Sequence, residues 1–359
     1  MFDFLDNWLA TGGFWVAVPL IIVGCVALIK GADFLVDGAS GLAKKYGVSD
    51  IVIGLTVVAF GTSMPEFVVN MVAVGQGSTE IAITNVLGSN IINTFVILGC
   101  TALIFPISSQ KTTRRFDIPF SILAALLVLL FAVYNSPSWL QIEHLFNMNI
   151  TQPSINDLGS LNLGQGKAGF ISGVGGCILL IFFLIFLWHN FKGIGNAPQT
   201  ESNEGYKPMS AKRALALILG GLVGLVVGGE VIVKSATSIA HSLGVSDAII
   251  GLTVVALGTS LPELATSCMA AFKKNCDIAL GNVIGSNIFN IFFILGTSAC
   301  VKALPGYHGL EIDALMAALG SVLVMLFVYL TKKHEIKRWH GAILLLTYAA
   351  YLTYRIITL

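Results

Sequence analysis

Residues 48–66 read VSDIVIGLTVVAFGTSMPE, and residues 245–263 read VSDAIIGLTVVALGTSLPE. Downstream, NVLGSNIINTFVILG at 85–99 returns as NVIGSNIFNIFFILG at 282–296. The offset is a constant 197 positions without a gap, and it also aligns Gly31-Ala32-Asp33 with Gly228-Gly229-Glu230. Such a chain must build one architecture from two copies of a unit.

Both copies are embedded in apolar sequence. Of the 359 residues 55% are hydrophobic and 11% charged, with mean hydropathy +0.85. A soluble domain carries about 25% charged residues. The apolar residues come in runs of roughly 20, the length of a membrane-spanning helix. They do not alternate with polar residues as the strands of a membrane β-barrel do. A net charge of +1 gives no basic excess for nucleic acid. The six cysteines (Cys25, Cys100, Cys177, Cys268, Cys276, Cys300) form no CxxC pair and read as small buried hydrophobes. The first apolar run shows no small-residue cleavage site and reads as a retained helix.

Ten spans fall near 14–42, 50–75, 79–105, 116–134, 168–189, 213–241, 247–272, 277–303, 311–331 and 339–357. The first and sixth exceed the usual length, so they tilt or extend beyond the hydrocarbon. With this count, fifteen Lys and Arg residues fall in loops on the side opposite the N-terminus. Three (Lys167, Lys302, Arg355) fall on the N-terminal side, and Lys30 and Lys234 lie within spans. That bias makes the lysine-rich side cytoplasmic and places both termini on the non-cytoplasmic side of a cell membrane. Residues 135–167 form a long outer loop. Residues 191–212 form a polar cytoplasmic linker between a first repeat, 1–190, and a second, 213–359. Five spans separate equivalent elements. Five is odd, so the second repeat enters the membrane from the opposite side. The expected fold is an all-α membrane protein of ten transmembrane helices in two inverted five-helix repeats, the arrangement of secondary transporters with a midplane site.

The repeated motifs carry the chemistry. GTSMPE (61–66) and GTSLPE (258–263) each fall inside an apolar span. Proline within a helix removes an N–H and pushes on the carbonyl one turn earlier, so Pro65 and Pro262 should kink their helices and free carbonyls near Thr62 and Thr259. Glu66 and Glu263 follow. A carboxylate at membrane depth is costly and usually functional. Two such groups brought together repel unless a proton or cation joins them. Calcium prefers several oxygens from carboxylates, carbonyls and water, and no Cys or His lies close in sequence to suggest a softer metal. Ser89 and Asn93, and likewise Ser286 and Asn290, lie four apart on one helical face. They can serve as ligands or as hydrogen bonds between helices. Asp33, Asp37, Glu230 and Lys234 lie toward the cytoplasmic ends of spans one and six and read as interfacial or packing residues, and His189 and His241 as boundary residues. No Ser/His pairing or HExxH marks an enzyme, and an inverted repeat within one chain argues against a channel.

At these motifs the chain resembles the cation/calcium exchanger superfamily, and within it the prokaryotic sodium/calcium exchanger branch. The paired GTS-[ML]-PE and N-V-[LI]-GSNI-x-N motifs lie within segments 54–99 and 251–296, called alpha repeats in that family. The resemblance implies a calcium antiporter driven by sodium through alternating access, with long first and sixth helices sliding across a core. It implies no cofactor, function as a monomer in the lipid bilayer, and Ca2+ and Na+ as the transported ions. Glu66 and Glu263 would give carboxylates to calcium, and Thr62 and Thr259 backbone carbonyls. Sodium sites would draw on Ala59, Ser63, Ser89 and Asn93, and on Ala256, Ser260, Ser286 and Asn290. Some relatives carry Asp at the positions of Asn93 or Asn290. Two acidic groups here keep Ca2+/H+ exchange open as the alternative.

Overall fold

The computed structural model describes residues 3–134, 170–192, 209–243, 256–307 and 309–358. The helices are α1 (Asp3–Tyr46), α2 (Asp50–Thr62), α3 (Met64–Gly75), α4 (Thr79–Ile104), α5 (Thr113–Ala132) and α6 (Gly173–Lys192). They continue as α7 (Ala211–Ser242), α8 (Ala256–Thr259), α9 (Leu261–Phe272), α10 (Cys276–Val301), α11 (Leu310–Leu330) and α12 (Arg338–Thr358). Among the described residues seven helices are long and apolar enough to cross a membrane, and α2 with α3 makes an eighth span if the bent pair counts as one. The expected span at 247–272 begins outside the described residues. The expected tenth span coincides with α12, which is 21 residues long but carries Arg338 and His340 in its first turn and Arg355 in its last.

Burial separates the helices into layers. Of the most apolar window, 94% is buried in α10 and 72% in α4, but only 17% in α1 and 33% in α7. Helices α4 and α10 are therefore the core, and α1 and α7 lie against it. The transmembrane part of α1, Gly13–Tyr46, runs 34 residues. At 1.5 Å per residue that is roughly 50 Å, well beyond a hydrocarbon core of about 30 Å. Its start is set by Gly13, whose φ of 50° breaks the helix.

Helices α1 and α7 meet backbone to backbone. A Cβ on Gly31 would lie 2.7 Å from the Leu225 nitrogen and 2.8 Å from the Gly221 oxygen; one on Gly228 would lie 2.7 Å from the Gly24 oxygen. In the core, α2 and α10 approach as closely: a Cβ on Gly285 would lie 2.7 Å from the Leu55 oxygen.

Two short antiparallel ribbons tie the halves together. Strand β1 (Ile107–Ser108) pairs with β4 (Glu335–Ile336), and β2 (Phe170–Ile171) with β3 (Leu304–Pro305). At the end of α9, Lys273 sits 2.6 Å from both Asp33 and Asp37 of α1. These two aspartates, expected as interfacial residues, thus anchor α1 to α9. The Asn275 side chain caps α10 by accepting from Ile278 N (3.0 Å) and donates to Asp50 (2.7 Å) and Ser40 (3.1 Å).

The cysteines depart from the buried reading. Cys276 is buried, but Cys177 and Cys300 are exposed and the other three half-buried.

Candidate functional site

The GTS-PE segments make the breaks around which the site is built. Helix α2 ends at Thr62 and α3 begins at Met64, with a 45° bend between them. The joint is Ser63 (φ −85°, ψ 6°), and its counterpart between α8 and α9 is Ser260 (φ −89°, ψ 4°). Pro65 and Pro262 do not kink a continuous helix, as their place inside an apolar span suggested. Each is the second residue of a new helix, where the missing N–H costs nothing. The new first turn then presents Glu66 and Glu263, near the positive end of the helix dipole, which favours a negative charge there.

Both glutamates are buried, at 0% and 1% exposure, and lie within electrostatic reach of each other. Around each stand hydroxyls from both copies of the repeat. Thr259 and Ser89 are the neighbours of the Glu66 carboxylate; Thr62, Ser63 and Ser286 are those of Glu263. Ser63 donates to Glu263 Oε1 at 2.9 Å. The Thr259 and Ser89 hydroxyls stop short of a hydrogen bond, and both Glu66 carboxylate oxygens lack a partner.

Buried polar atoms are nearly always paired, so the exceptions mark the centre. At the GTS-PE and GSNI-x-N motifs the unpartnered oxygens are Glu66 Oε1 and Oε2, Glu263 Oε2, Thr259 Oγ1, Ser260 Oγ, Ser286 Oγ, Asn93 Oδ1, Asn287 Oδ1 and Asn290 Oδ1; Asp50 Oδ1, Thr113 Oγ1, Ser235 Oγ and Thr266 Oγ1 are unpartnered elsewhere. The motif oxygens make the largest group, and all are hard donors of the kind calcium and sodium take. Among the described residues no three His, Cys, Asp or Glu side chains gather to hold a metal ion. Asn93 and Asn290 sit in wide π-helical turns, Ile92–Ile97 and Phe289–Leu295, which fall at equivalent places in the two copies. Such turns are frequent at functional sites because they break the regular ladder and leave polar groups free.

The Ala59 carbonyl is less available than the sequence suggested. It accepts from Ser63 N (3.0 Å) and from Thr62 Oγ1 (3.3 Å). The Thr62 hydroxyl has one proton and also faces Asn282 Oδ1 at 3.1 Å, so turning to Asn282 frees a lone pair on Ala59. Ala256 opens α8.

Sequence reasoning missed the asparagines that hold the glutamates. Asn85 Nδ2 donates to the Glu66 carbonyl (3.4 Å) and to Asn70 Oδ1 (2.7 Å). Asn282 Nδ2 donates to the Glu263 carbonyl (3.3 Å) and to Ser267 Oγ (2.9 Å). The available signal was the return of Asn at the same place in both copies. Asn90 and Asn287 form a further bridge, with Asn90 donating to the Asn287 carbonyl (3.1 Å) and accepting from Asn290 Nδ2 (3.0 Å).

A family model described as sodium/calcium exchanger protein matches residues 16–192 and 213–357. The sodium/calcium exchanger MaX1 of Methanosarcina acetivorans is 34% identical over 351 residues, covering 93% of this chain and 96% of that protein. The inner membrane protein YrbG of Escherichia coli is 32% identical over 301 residues, covering 83% of this chain and 82% of its own. The solved structure of the sodium-calcium exchanger NCX_Mj soaked with Na+ and Sr2+ superposes with a TM-score of 0.74 at 30% identity. It covers 95% of this chain and 99% of that one.

Proposed function

Because the chain belongs to the sodium/calcium exchanger protein family, we propose that it exchanges Ca2+ for Na+ across a cell membrane by alternating access. Membership makes it a membrane antiporter of the calcium-exchange type rather than an enzyme. Sodium as counter-ion, the inverted ten-helix plan with repeats 1–190 and 213–359, outward termini and function as a monomer belong to the proposal. The matching positions of β1 and β3 in the repeat, each pairing with a strand from the other half, support the inverted plan.

One observation carries the reading: two buried carboxylates face each other amid unpartnered motif oxygens. An uncompensated buried charge costs several kcal/mol. One Ca2+ or a set of Na+ ions relieves this; an empty, ionised site does not. In this reading Glu66 and Glu263 bind Ca2+ with the Thr62 and Thr259 carbonyls. Sodium uses the same glutamates with Ser63, Ser260, Ser89, Ser286, Asn93, Asn290, Ala59 and Ala256. Since the ions share ligands, neither can occupy the site beside the other, and crossing of one drives return of the other. A ligand shifts a conformational equilibrium only by its different affinity for the two states. Charge neutralisation supplies that difference, because the occluded state tolerates no unpaired charge.

Uptake of calcium-45 into proteoliposomes tests this. Vesicles loaded with Na+ should take up Ca2+ rapidly, and those loaded with K+ or with acid should not. Uptake that follows the proton gradient alone overturns sodium coupling and moves the protein to Ca2+/H+ exchange.

The asparagines give a second expectation. Asn290→Asp adds a third carboxylate beside the unpartnered Oδ1 position. More ligand charge favours the divalent ion, so Ca2+ should compete against Na+ roughly tenfold better, about 1.4 kcal/mol. Isothermal titration of both ions would show it; unaltered affinities exclude Asn290 from the site.

A further inference from the structure

Helices α6 and α10 come from opposite halves of the chain and pack along their length, through Phe182 with Phe292 and Phe183 with Phe289 and, near their outer ends, through small residues. A Cβ on Gly176 would lie 2.6 Å from the Gly296 oxygen and 2.9 Å from the Cys300 nitrogen. The two backbones therefore meet one residue before Cys177 and at Cys300 itself. A few residues away the same segments are tied by β2 and β3, through Ile171 with Leu304 and Phe170 with Pro305. Between these two fixed points, Cys177 and Cys300 hold their sulfurs 3.7 Å apart, 123 residues apart in sequence. That is van der Waals contact between two thiols, and a small side-chain rotation brings them to bonding distance. Both side chains are exposed at the surface of the protein. Cys177 lies in the first turns of α6 and Cys300 in the last turn of α10, at the membrane end where the proposed orientation places the outer, oxidising compartment.

We propose that Cys177 and Cys300 are joined in the cell by a disulfide that staples the two halves together at their outer end. The oxidant is a protein disulfide of the outer compartment. The Cys177 thiolate attacks one of its sulfurs, forming a mixed disulfide and expelling the other as thiolate. The Cys300 thiolate then attacks the Cys177 sulfur, forming the new bond and releasing the oxidant's second thiolate. Two protons leave the protein thiols, and two electrons remain on the oxidant as its dithiol. Neither cysteine belongs to the cation site, and β2–β3 already holds these segments together. The bond therefore adds stability to the core without hindering α1 and α7. It closes a long loop, which constrains the unfolded chain most strongly.

The proposal rests on the orientation given above, and the experiment separates the two. Cells are treated with N-ethylmaleimide, and the full-length protein is purified and digested without reductant. Mass spectrometry should find a Cys177–Cys300 linked peptide, and reduction should lower the Tm of wild type by several degrees but leave that of Cys177→Ser unchanged. Both cysteines alkylated before reduction would overturn the disulfide. In Cys177→Ser, Cys300 should react with a membrane-impermeant maleimide on intact cells. Reaction only after permeabilisation would place it inside and overturn the proposal through its orientation, whatever ion drives transport.

Discussion

Glu66→Gln should abolish calcium exchange without unfolding the protein, and Glu263→Gln should do the same. The amide is nearly isosteric, and at Glu263 its oxygen can still accept from Ser63. What disappears is half the negative charge of the site. Calcium affinity is set largely by ligand charge and rigidity, so the loss should be on the order of a hundredfold or more. Stability separates this from misfolding. A charge buried without a partner destabilises, so each variant in calcium-free buffer should melt no lower than wild type. Added calcium should raise the wild-type melting point, since a ligand at a hundred times its Kd contributes about 2.7 kcal/mol. The variants should show no such rise. Exchange retained by either one removes the two-carboxylate site.

The second large effect concerns the seam between α1 and α7. Side chains that interdigitate resist sliding, because each step lifts one ridge over another. Gly31, Gly221 and Gly228 present bare backbone instead. Gly31→Ala places a methyl group where Leu225 N and Gly221 O already stand, and neither atom can move without its helix. Overpacking of this kind costs about 1–3 kcal/mol. If α1 and α7 must slide past each other during transport, exchange should slow roughly tenfold, which is about 1.4 kcal/mol on the barrier. Calcium binding, measured by titration, should change little, because the glycine is remote from the glutamates in sequence and element. An unchanged exchange rate in Gly31→Ala would show that this contact stays fixed during transport.

Much of this was legible because the chain states its key motifs twice. Duplication singled out Glu66 and Glu263, and long apolar runs fixed helices α4, α10 and α11 to within two residues at each end. The joints were legible only in part. Proline announces a break in hydrogen bonding, but whether it kinks a helix or starts one depends on Ser63 and Ser260, whose backbone angles composition does not reveal. Partners brought together over long separations stayed hidden. Lys273 reaches back to α1 across more than 230 positions, and Cys177 meets Cys300 across 123. Hydropathy records what each segment avoids; it carries no distances between segments. The supporting role of Asn85 and Asn282 was hidden for a related reason, since an Asn that bonds a backbone carbonyl and one that holds an ion look alike in sequence.

The number of carboxylates at the centre has an electrical meaning. In the proposed site, two buried glutamates carrying one Ca2+ would form a neutral package, and moving it across the bilayer would do no work against the transmembrane potential. Two sodium ions in its place are equally silent. A third leaves one net positive charge, which the potential pulls with about 2.3 kcal/mol per 100 mV. With asparagine at positions 93 and 290, no further acidic group from those motif positions cancels it. If sodium is the counter-ion as proposed, the voltage dependence of the sodium-loaded step would count the ions the site holds.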